Sequence, residues 1–194
     1  MTAAAATLLK EIRGCTMCAS QLPVEPRPVL QADPDARILI ASQAPGRAVF
    51  ETGIPFNDPS GVKLREWLGV SSEEFYDKKR FAIVPMGFCY PGKGRSGDLP
   101  PRKECAPAWR GRLLETLQRI DLVVAVGAYA VAYHTSEKSS LTSAVKDWKR
   151  WHPVLVPVPH PSPRNIHWLQ SNPWFEMEVL PALQGRVREV LEAA

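Results

Sequence analysis

Four short apolar runs without polar alternation constrain this chain more than anything else in it. They are residues 37–41 (RILIA), Phe81–Pro85 (FAIVP), 121–126 (DLVVAV) and 153–159 (PVLVPVP). A strand with one wet face alternates apolar and polar residues, whereas a continuous apolar run fits a strand buried on both faces. Between the runs lie stretches with helical periodicity. Residues 103–119 place Trp109, Leu113, Leu114 and Leu117 on one stripe, and the last segment, opened by Asn172-Pro173, carries Phe175, Val179, Leu183, Val187 and Val190. Further helices are expected over 3–13, 62–68, 72–77, 128–134 and 141–151. Strands that alternate with helices imply an α/β fold: one doubly wound, mainly parallel, four-stranded sheet with helices on both faces. The 194 residues show no internal repeat and read as a single domain, 1–194.

No stretch reaches the roughly eighteen apolar residues a membrane span requires. The first residues lack the basic start and apolar centre of a secretory leader. The expectation is a cytoplasmic monomer with no membrane partner. A net charge of +4 leans towards an anionic partner, and its distribution is more telling than its size. Lys93, Arg95, Arg102 and Lys103 crowd one loop rich in Gly and Pro.

The long loop after the first run, 42–61, is the first candidate site. It contains Gln43-Ala44-Pro45-Gly46, then Glu51, Thr52-Gly53-Ile54-Pro55-Phe56, Asn57 and Asp58. Ligands of open α/β sheets bind outside the carboxyl ends of the strands, where such loops leave. His160-Pro161-Ser162-Pro163-Arg164-Asn165 follows the fourth run directly, so His160 is expected at the same edge, held in a proline-fixed turn. Cys15 and Cys18 form a C-x2-C pair, and Cys89 and Cys105 close a fifteen-residue loop. In a chain without a secretory leader, four such cysteines read better as a metal centre than as disulfides. Spacing alone leaves zinc and an iron–sulfur cluster both open.

Together these blocks resemble the uracil-DNA glycosylase superfamily, and most closely its family 4, the iron–sulfur uracil-DNA glycosylases. Residues 42–46 and 52–56 are similar to that family's G-E-A-P-G … T-G-x-P-F loop, 160–163 to the superfamily's H-P-S-P motif, and the four cysteines to the family's cluster ligands. The resemblance implies an enzyme that flips uracil out of DNA and hydrolyses its N-glycosidic bond. It further implies a structural 4Fe-4S cluster on Cys15, Cys18, Cys89 and Cys105, with zinc as second choice. His160 would bond the base O2 as charge builds there, Phe56 would stack on the base, and Gln43 and Ala44 would line the pocket. Ser162 and Arg164 would press on the DNA, and Lys93 and Arg95 would meet phosphates.

Two departures qualify the resemblance. Gln43 stands where the family has a glutamate, and 83–87 (IVPMG) lacks the asparagine that reads the uracil edge. Glu51 and Asp58 are the candidate replacements for the acid, and Asn57 for the amide. The alternatives are a glycosylase for another deaminated base such as hypoxanthine, or a protein that binds uracil or abasic DNA with little turnover.

Overall fold

The computed structural model describes residues 3–95, 97–137 and 139–193. Four parallel strands form its sheet: β1 (Ile38–Ser42), β2 (Phe81–Pro85), β3 (Leu122–Val126) and β4 (Leu155–Val158). Their spatial order is β2-β1-β3-β4, with Ile38 level with both Phe81 and Leu122, and Val123 level with Leu155. The apolar runs predict all four within two residues at each end.

Strand residues divide by parity between two cores. Ile38, Ile40, Ile83, Leu122, Val124 and Val126 face one core, shared with Leu64, Trp67, Phe175, Leu183 and Val187. Leu39, Ala82 and Val84 face the other, against Leu8, Leu9, Ile12, Leu113 and Leu117. Both faces are therefore dry, which is why the runs show no alternation.

The first core is closed by helices α3 (Pro59–Leu68) and α9 (Leu180–Glu192), and the second by α1 (Ala3–Arg13) and α5 (Gly111–Leu114). Helix α4 (Ser72–Tyr76) leads into β2, and α6 (Ala128–Thr135) and α7 (Leu141–Lys146) lie between β3 and β4. Two elements were not expected from the sequence: α2 (Arg47–Thr52), inside what reads as a loop, and α8 (Ile166–Ser171) after the H-P-S-P turn. The helix expected over 103–119 is shorter. Its first part, Ala106–Arg110, is wound as a π-turn, which presents Arg110 inward.

β1 and β3 are the central strands, and the connections leaving them run to opposite sides, which opens a crevice at their carboxyl ends. At the other edge Arg37 pairs with Asp121 and bonds the carbonyl of Ala193 at the end of α9. No helix among the described residues is long and apolar enough to cross a membrane.

Candidate active site

The crevice at the carboxyl edge holds a cavity of about 510 Å³. β1 delivers Ser42, Gln43 and Ala44 to its wall, and β2 delivers Pro85. Past Ala44 the chain turns at Gly46, the N-cap of α2. That helix ends at Gly53, whose φ of 72° is the left-handed geometry that favours glycine at a C-terminus. The Arg27 guanidinium donates to the Phe50 and Glu51 carbonyls at 2.6 and 3.1 Å, covering that end. A side chain at 53 would collide with Arg27.

Phe56 follows, itself in a left-handed conformation (φ 54°) that non-glycine residues seldom adopt. Two contacts hold it there. Its ring meets Phe75 edge-on at 6.2 Å, and Tyr76 donates from its hydroxyl to the Pro55 carbonyl at 3.0 Å. The Phe56 carbonyl also fills the place where a side chain at 61 would start, so Gly61 is required by close approach. Asp58 caps α3 by accepting from the Gly61 N–H at 2.8 Å, and Pro59 occupies the first turn.

His160 enters from the end of β4. It packs over Gly127 at the end of β3, and the Asn165 side-chain amide donates to its carbonyl at 2.7 Å. Burial lowers the His160 pKa below its usual range, with the charges of Asp58 and Asp98 opposing the shift. The ring is therefore neutral at pH 7: one nitrogen carries a proton to donate and the other can accept.

The cavity gathers Gln43, Ala44, Phe56, Asp58, His160, Ser162 and Arg164. It does not gather Glu51 or Asn57. Glu51 lies on the exposed side of α2, ion-paired with Arg47 at 2.8 Å, because the stretch read as loop is helical and i,i+4 spacing favours that pair. Asn57 lies on the other side of the 53–57 strand of chain, along a second groove with Ile54, Tyr76 and Lys78. Lys93 and Arg95 stand exposed on the neighbouring hairpin, whose Lys93–Asp98 bridge brings Gly97 and Asp98 to the cavity wall. Asp98 was not anticipated. The signal was a lone acid after glycine inside a loop noticed for its basic residues.

A second, much smaller cavity is lined by Gly87, Phe88 and Cys89, which follow β2. Cys15, Cys18, Cys89 and Cys105 all line it, together with Met17, Phe88, Arg102 and Trp109. The four thiols are unpaired. Trp109 Nε1–H donates to the Cys15 sulfur at 3.3 Å, and the Phe88 N–H donates to the Cys105 sulfur at 3.4 Å. Burial pushes the Cys89 thiol up to about 11 and that of Cys105 up to about 12. Among the described residues no three His, Cys, Asp or Glu side chains are grouped tightly enough to hold a metal ion.

A family model described as the uracil DNA glycosylase superfamily matches residues 30–184. That stretch includes the whole sheet, every residue lining the carboxyl-edge cavity except Val29, and Cys89 and Cys105. The first cysteine pair lies outside it.

Proposed function

Because this chain belongs to the uracil-DNA glycosylase superfamily, and so to DNA-acting N-glycosyl hydrolases in general outline, we propose that its substrate is uracil in DNA, released to leave an abasic site. The observation that carries this reading is the meeting of Phe56, Gln43 and His160, from three separate segments, in one cavity at the carboxyl edge of the sheet. A flipped base enters that cavity and lies on the Phe56 ring, which the left-handed backbone turns inward. The neutral His160 ring donates to the base O2 as the glycosidic electrons arrive there, stabilising charge that exists only on the way to products. Gln43 supplies the amide that reads the base edge. Ser162 and Arg164 fill the gap in the duplex, and Lys93 and Arg95 bind phosphates.

The same reading assigns the chain to the iron–sulfur branch, with a structural 4Fe-4S cluster on Cys15, Cys18, Cys89 and Cys105. A zinc ion draws four thiolates to about 2.3 Å of one point. All four thiols line one shared cavity, two of them accepting N–H bonds, and the choice of a cluster over zinc rests on the resemblance of the cysteine spacing to the family's cluster ligands. Bound there, the group would tie α1 to the 89–105 loop; it takes no part in bond breaking.

The absence of an amide on residues 83–87 keeps hypoxanthine as the second substrate to try. Labelled oligonucleotides bearing uracil or hypoxanthine, cleaved in alkali after incubation, decide between them, with a native shift run alongside. Strand breaks at uracil are expected, and His160→Ala should slow them by about 10²–10³-fold, the usual cost of one such donor. A shift without breaks would make this a lesion-binding protein instead.

A further inference from the structure

We propose that Asp98 is the carboxylate that serves the sugar during base release, in place of the acid missing at position 43; this rests on the glycosylase reading above. A nucleotide swung into the cavity sends its base in first and leaves its sugar at the mouth, still tied to the backbone. The group that meets positive charge on the sugar, or takes a proton from attacking water, must therefore stand at the rim.

Three carboxylates belong to the surrounding loops, and their positions differ. Glu51 is paired with Arg47 outside the cavity. Asp58 lines the cavity but accepts the Gly61 N–H that starts α3. Asp98 lines the cavity and is exposed, as a rim group should be. Its hairpin is closed by the Lys93–Asp98 bridge and by the Gly94 N–H donating to the Gly97 carbonyl at 2.6 Å. A Cβ on Gly46 would lie 3.2 Å from Asp98 Oδ2, so the carboxylate sits directly against the first site loop. The Arg164 guanidinium lies against Gly97 on the other side, so hairpin and H-P-S-P turn meet over the opening. The charges of both Asp58 and Asp98 reach the His160 ring, so that reach does not separate the two acids; position at the rim does.

The step then balances as follows. The bond between the sugar C1′ and the base nitrogen breaks, and its electron pair leaves on the base, towards the oxygen that His160 bonds. Asp98 faces the resulting sugar cation. The oxygen of a water bonds to C1′ and one of its protons passes to Asp98. That proton goes on to the base anion, which restores the carboxylate.

The test is single-turnover release of uracil by excess protein, with gel-shift affinity for an abasic oligonucleotide measured on the same preparations. Asp98→Asn keeps the shape and removes the charge. It should slow release by about 10²–10⁴-fold, the range for a positioned general base, while abasic-DNA affinity stays at the wild-type value. Asp98→Glu should recover part of the rate, and Asp35→Asn, a surface acid paired with Arg119, should match wild type. Release by Asp98→Asn at the wild-type rate, or equal losses of release and affinity, would overturn the assignment. Wild-type protein that releases neither uracil nor hypoxanthine would instead overturn the glycosylase reading beneath it.

Discussion

Arg110 is fully buried, and its guanidinium is met by neutral partners. It donates to the Val84 and Pro85 carbonyls at 2.9 and 3.1 Å, lies 2.6 Å from His134 Nε2 and stands over the Tyr133 ring. His134 must accept from this cation, so it is neutral; burial and the Arg110 charge push its pKa down to about 3. The unfolded chain takes that proton near 6.5, whereas the folded chain resists it. The neutral ring therefore contributes stability that is present above pH 6.5 and lost as the pH falls towards 3. His134→Gln keeps an acceptor but cannot titrate. In urea melts the stability of wild type relative to this variant should decline steadily from pH 7 to pH 4, and a constant difference would refute the account. None of this is legible in the sequence, where Arg110 is one cation on a helix and His134 one histidine without a setting. The two acids near the site teach the same lesson. Glu51 looks placed for chemistry by proximity in sequence, while Asp98 arrives from a loop more than forty residues on, by a chain path that local pattern cannot trace.

At the level of elements, the strands were readable because burial on both faces writes itself as an unbroken apolar run. The last helix was readable because Phe175, Val179, Leu183, Val187 and Val190 are all buried. α2 was not, since its six residues follow glycine and proline and bury only Val49, too little for a periodic signal. The joint between the site loop and α3 was legible only in part. Asp58-Pro59 announces a helix start, but nothing in the sequence announces that the Phe56 carbonyl occupies the side-chain space of Gly61. Gly61→Ala should consequently cost about 3 kcal/mol or more, at the upper end for overpacking. It should also displace Phe56. Asp58→Ala removes only a cap and should cost about 1 kcal/mol. Denaturant midpoints measure both, and equal costs would show that the loop yields more easily than its geometry implies.

At the scale of the whole molecule, the second cavity is lined by both the N-terminal segment and the ends of the loop that bears Asp98 and the basic residues. If the four thiols carry the proposed cluster, purified protein should contain on the order of four irons and four sulfides per chain. Cys105→Ser should lose them, and the 89–105 loop should then be cut readily by protease while the sheet survives. Zinc in place of iron would correct the cofactor and leave the staple. The sheet itself has a further consequence. Every residue assigned to chemistry lies at the carboxyl edge of the strands, whereas α9 ends beside Arg37 at the amino edge. A tether or surface anchor attached behind α9 would therefore hold the protein with its cavity facing outward. Immobilised molecules would all present the same side to a passing strand.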